Sequence, residues 1–140
     1  MSRTCLLVTS AIVWSCLPVC KGAEPVVRSP ITVHVLDTQR GKPAEGLAVI
    51  LEQAEGKEWR EISKGKTGAD GRIETLVPKD KRLPTGVYRL TFDSGAYFAE
   101  TKTKTFYPRV VIIFEVENLD SHYHVPLIIS PFGYSTYRGS

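Results

Sequence analysis

The sequence predicts an all-β fold, an antiparallel two-sheet sandwich, and three observations carry that prediction. Short runs rich in Val, Ile, Thr and aromatic residues recur along the chain, several with strict two-residue alternation. Turn-forming Gly, Asn and Asp interrupt them about every 8 to 15 residues, a spacing that gives roughly seven short strands. The chain has 140 residues and is 42% hydrophobic, without internal repeats, low-complexity tracts or linkers, so one domain with an ordinary core is expected.

The first 22 residues stand apart from that domain. A short basic start, "MSRT", leads into the apolar run "CLLVTSAIVWSCLPVC", broken by Pro18 and followed by "KG". This is the pattern of a secretory signal peptide cleaved near Gly22. The run is short for a membrane span, which takes about 20 apolar residues, so the mature chain is expected to have none. Residues 23–29 then form an N-terminal extension and 30–140 the domain. All three cysteines (Cys5, Cys16, Cys20) lie in the leader, so the mature domain has neither disulfides nor thiol chemistry and must be held by its core and subunit contacts. Without Arg3 and Lys21 the chain keeps 16 Lys and Arg against 15 Asp and Glu, a near-neutral balance that gives no reason to expect nucleic acid as a partner.

The elements follow in order. "ITVHVLDT" (31–38) alternates Ile31, Val33 and Val35 with Thr32, His34 and Leu36, and "LAVILEQ" (47–53) is apolar on both faces for much of its length. "EWREISKGKT" (58–67) offers only Trp59 and Ile62 and reads as a polar edge strand. Asp70-Gly71 in "GADGR" is a strong turn signal. "GVYRLTFD" (86–93) alternates again, and "AYFAETK" (96–102) suits a helix of one or two turns. "RVVIIFEVE" (109–117) is the most strand-like run, and "HYHVPLIIS" (122–130) follows the turn "NLDS".

Chemistry has few carriers here. There are three histidines, all in or beside strands, and His122 and His124 project to one face because residues two apart in a strand do. His34 lies on the Thr32/His34/Leu36 face of an otherwise apolar strand, where a core histidine is the commoner outcome. His122 reads as a solvated residue at a strand start, and Arg72, just past the turn, as a solvated hairpin residue. Two histidines two apart with a distant third also permit a zinc site, but no cysteine and no evident carboxylate joins them.

Taken together, "TVHVLDTQRGKPAEGL", "DGR", "GVYRLTFDSGAYFAET", "FYPRVVIIFEV" and "HYHVPLIISPFGYSTYRGS" closely resemble the transthyretin-related proteins, specifically the 5-hydroxyisourate hydrolases, over residues 30–140. The terminal "YRGS" is the most specific part, since transthyretins, which carry thyroid hormone, continue differently there. The resemblance implies a transthyretin-like sandwich of about eight strands with one short helix. It also implies a homotetramer, a dimer of dimers, whose C-terminal tetrapeptides fold into a channel between dimers. The implied reaction is hydrolysis of 5-hydroxyisourate to 2-oxo-4-hydroxy-4-carboxy-5-ureidoimidazoline in urate degradation, with no metal and no other cofactor. Matched by position, His34, Arg72, His124 and Ser140 are the implied catalytic residues, and Tyr137, Arg138 and Gly139 the implied substrate-binding ones. These residue types suit such a hydrolysis, because a histidine near neutrality takes a proton from water and an arginine fork holds developing negative charge. Two other readings compete, a small-molecule carrier of the transthyretin kind and an exported zinc-binding protein. The leader places the protein in the periplasm or outside the cell.

Overall fold

The computed structural model describes residues 28–140, so the leader, its cysteines and most of the extension lie outside the described residues. Among the described residues nine strands build two sheets, with one helix beside them. The first strand, β1 (Ile31–Asp37), is central to one sheet. It pairs along one side with two two-residue strands, β2 (Lys42–Pro43) and β5 (Arg72–Ile73), and on the other side with β8 (Tyr123–Ser130), which carries β9 (Gly133–Thr136) at the edge. The second sheet runs β4 (Glu58–Lys66), β3 (Ala48–Glu55), β6 (Gly86–Phe92), β7 (Val110–Val116). The polar segment is thus an edge strand, as its pattern suggests.

Alternation sends one face of each strand inward. Ile31, Val33 and Val35 of β1, Val49 and Leu51 of β3, Tyr88, Leu90 and Phe92 of β6, and Leu127 and Ile129 of β8 are all essentially inaccessible to solvent. At about 25 cal/mol per Å² of buried apolar surface, these interdigitated side chains dominate the stability of a domain with no cysteine. The other face of β1 and β8 carries Thr32, His34 and Leu36 beside His124, Pro126 and Ile128, in register. That outer face is where the chemistry collects.

One pairing departs from the antiparallel expectation. β1 and β8 run parallel over seven registered pairs, from Ile31↔Tyr123 to Asp37↔Ile129. Parallel neighbours need a long crossover, and here the whole second sheet and the helix supply it. The helix α1 (Ser94–Glu100) starts two residues earlier than its sequence suggests, because the Asp93 side chain accepts from the Ala96 amide at 3.1 Å and caps it. Its Tyr97 hydroxyl donates to the buried Asp37 carboxylate at 2.9 Å, fastening the helix to the end of β1.

The turn before Arg72 also differs from a simple hairpin. Gly71 has φ +74°, and a Cβ there would stand 2.3 Å from the Val35 carbonyl oxygen. Only glycine permits that approach, which lets Val35 N–H donate to the Gly71 carbonyl at 2.8 Å and seats β5 on β1 instead of on β4. The Asp70 carboxylate accepts from the Arg72 amide at 3.0 Å and tightens the turn.

Candidate active site

Arg72, His34 and His124 come from three different strands and meet through register. Arg72 of β5 lies directly across from His34 of β1, whose other neighbour is Pro126 of β8; one step along, Thr32 stands opposite His124. Directly opposed residues in a sheet have Cβ atoms about 5 Å apart, so these side chains form two adjacent rows on the outer face, Arg72–His34–Pro126 and Thr32–His124. Gly139 extends the second row. Gly139 N–H donates to the His124 carbonyl at 2.9 Å, and an isolated bridge pairs the two residues. A Cβ on residue 139 would fall 2.4 Å from the His124 ring carbon Cδ2, so glycine is what allows the terminus to lie against the imidazole.

The result is an open cleft of about 470 Å³ lined by Thr32, Arg72, His122, His124 and Ser140, together with Arg28, Lys79 and Glu74. His34, the cross-strand partner of Arg72, does not itself line this cleft. Tyr137 and Arg138 do not line this cleft. With Ile112, Phe114, Tyr123 and Val125 they line a second, more apolar cleft of about 250 Å³, which shares His124 with the first. The Arg138 guanidinium there lies 5.3 Å from the centre of the Tyr123 ring. Within one chain, then, Ser140 reaches the first cleft, Gly139 lies against the His124 ring, and Tyr137 and Arg138 line the second cleft, which His124 also borders.

His122 is half-buried and hydrogen-bonded instead of solvated. Its Nδ1 lies 2.8 Å from the Ser29 carbonyl and its Nε2 3.2 Å from Thr32 Oγ1, which is also 2.9 Å from His124 Nδ1. The two imidazoles lie nearly parallel, with centres 6.4 Å apart. The sequence does hold a signal for this cluster, since Thr32 shares the face of His34, and His122 that of His124.

Electrostatics favour neutral imidazoles. His124 is held below its ordinary pKa of 6.5, first by burial and then by the positive charge of Arg72 and by its neighbours His122 and His34, with the Thr32 backbone pulling the other way. His34 is lowered too, again by burial first and Arg72 second, partly offset by the Asp70 backbone and carboxylate. Among the described residues Arg72 forms no ion pair, so its guanidinium is available to a ligand. A cleft that joins unprotonated imidazoles to an unpaired guanidinium can remove a proton from water and stabilise an oxyanion. Among the described residues no three His, Cys, Asp or Glu side chains are placed to hold a metal ion together.

The model of the HIUase/Transthyretin family matches residues 31–139. The chain belongs to this family. Within the family, the 5-hydroxyisourate hydrolase of Salmonella dublin is 46% identical over 110 residues, covering 79% of this chain and 80% of its own length. The structure of Klebsiella pneumoniae 5-hydroxyisourate hydrolase, 39% identical, covers 80% of this chain and 100% of its own, with a TM-score of 0.70. Transthyretin from Sparus aurata, 33% identical, covers 80% of this chain and 97% of its own, with a TM-score of 0.74. The two functional branches share one backbone, so overall shape does not divide them; sequence identity favours the hydrolases, and the site must decide the rest.

Proposed function

We propose that this chain hydrolyses 5-hydroxyisourate to 2-oxo-4-hydroxy-4-carboxy-5-ureidoimidazoline. The observation that carries the reading is the convergence of His124, Arg72 and the C-terminal Ser140 on one cleft beside His34. An imidazole takes a proton from water as the water oxygen bonds to the ring carbonyl carbon. Arg72 stabilises the negative charge that develops on the carbonyl oxygen, the carbon–nitrogen bond breaks, and the leaving nitrogen recovers the proton from the imidazolium. Protein groups suffice for every step. Ser140, at the cleft wall, brings its hydroxyl to the substrate, and Gly139 holds that segment against His124.

The working unit in this reading is a homotetramer, a dimer of dimers. Support comes from apolar surface that a soluble monomer has little reason to expose: Ile113 on the free edge strand β7 is 61% exposed, and Phe106 and Phe132 are each 71% exposed. In such an assembly Tyr137 and Arg138, which line the apolar cleft that shares His124, become candidates for contact with substrate or a neighbouring subunit. The N-terminal leader supports a periplasmic or secreted location. Among the described residues no helix is long and apolar enough to cross a membrane.

Generating 5-hydroxyisourate with urate oxidase and following its ultraviolet decay tests the activity. The hydrolase reading expects decay accelerated in proportion to protein concentration and unaffected by a chelator. A carrier would bind an aromatic ligand and leave the decay at its spontaneous rate.

A further inference from the structure

We infer that Thr32 and His122 are positioning residues that fix the tautomer of His124, leaving its Nε2 as the proton-accepting atom of the site. The inference rests on the hydrolytic reading above and adds to it which nitrogen acts and what holds it. At the far end of the hydrogen-bond chain there is no freedom of direction. A backbone carbonyl only accepts, so the 2.8 Å contact between Ser29 O and His122 Nδ1 requires a proton on Nδ1. A neutral His122 then offers a lone pair at Nε2, and Thr32 must donate its hydroxyl proton across the 3.2 Å contact. With that proton committed, Thr32 Oγ1 can only accept from His124, so the 2.9 Å contact places a proton on His124 Nδ1. His124 Nε2 is left unprotonated, and it has no hydrogen-bond partner among the described residues.

The charges nearest the ring agree with this polarity. Arg72, permanently charged, and the imidazoles of His34 and His122 all disfavour a second proton on His124. On the cleft wall Lys79 and Arg28 add positive charge, while Glu74 opposes it. When Nε2 accepts a proton from water, Nδ1–H stays bonded to Thr32 and the chain needs no rearrangement. Reversing the chain would require a protonated His122, which donates at both nitrogens and turns the hydroxyl toward His124.

The test uses the full chain labelled with ¹⁵N at histidine. At pH about 8, above the ordinary imidazole range, long-range proton–nitrogen correlations report which ring nitrogen of His124 carries the proton. The relay predicts Nδ1–H in the unmodified protein and loss of that preference in Thr32→Val and His122→Phe. In both variants kcat for 5-hydroxyisourate falls by about 10- to 100-fold, the cost found when the partner orienting a metal-bound imidazole is removed, with a smaller change in KM. Thr32→Ser keeps the hydroxyl and restores both the spectrum and most of the rate, which a purely structural role for the threonine methyl would not do. A proton on His124 Nε2 in the unmodified protein, or unchanged kcat in folded Thr32→Val, overturns the relay. Absence of turnover in the unmodified protein sinks the proposed activity alone, and the ring spectrum still decides the relay.

Discussion

Gly139→Ala is a steric probe aimed at one ring. The new Cβ would sit 2.4 Å from His124 Cδ2, 3.1 Å from Cγ and 3.2 Å from Pro126 Cγ. Carbon atoms in contact prefer about 3.5–4.0 Å, so the imidazole or the chain end must retreat by roughly 1 Å. The ring is tethered by Thr32 on one side and the terminus by its bond to the His124 carbonyl, so either movement spoils the placement of Nε2 or of Ser140. Misplacing a reacting group by about 1 Å costs on the order of 10²-fold in rate. The fold should barely respond, since the φ of Gly139 lies outside the left-handed region and alanine there even lowers unfolded-state entropy slightly. Gly133→Ala is the control, because its Cβ would meet Ser130 Oγ at an ordinary 3.6 Å. The assay pairs 5-hydroxyisourate turnover with thermal unfolding. Wild-type kcat/KM in Gly139→Ala, or a rate loss matched by Gly133→Ala, would refute the claim that the terminus abuts the catalytic imidazole.

Arg72→Ala should lower kcat by about 10²-fold, and Arg72→Lys should recover only part of it, because a point charge replaces a planar fork; complete recovery by lysine would argue for simple charge attraction. Lowered pKa values at His34 and His124 place the acid limb of the kcat/KM profile below pH 6.5, and a limb at or above 6.5 would speak against a neutral base. The same shifts act on stability: between the lowered values and 6.5 the unfolded chain binds more protons than the folded one. Stability from these groups is therefore full above pH 6.5 and falls as pH drops through the lowered values, measurable by denaturant unfolding across that window. Tyr97→Phe removes the side-chain donor to the buried Asp37 carboxylate and should cost about 1.5–3 kcal/mol with little effect on kcat; an unchanged unfolding midpoint would show that the Gln39 and Arg40 amides satisfy that carboxylate unaided.

The strands are legible in the sequence because their cores alternate: Ile31, Val33 and Val35, or Tyr88, Leu90 and Phe92, each announce a half-buried strand by period alone. The parallel pairing of β1 with β8 is not, because a period of two states which face is buried and nothing about which distant strand lies alongside or in what direction. Strands of two residues, β2 and β5, are too short to carry a pattern, yet β5 is the one that delivers Arg72; its placement depends on Gly71 meeting the Val35 carbonyl. At the candidate site, His34, Arg72, His124 and Ser140 are marked by the order of motifs along the chain and not by any local rule. His122 looks solvated from its local pattern because its partners, Ser29 and Thr32, are about 90 positions away in the chain and come near only through the β1–β8 register.

If the proposed reaction is right, an imidazole of β8 and the last residues of the chain form a single hydrolytic centre. The sharpest comparison is of kcat/KM for 5-hydroxyisourate among the unmodified protein, His124→Ala and a chain ending at Thr136, with assembly size checked for each. Both altered proteins should remain folded at the unmodified assembly size and lose most of the acceleration. Turnover close to that of the unmodified protein in both would contradict a shared centre.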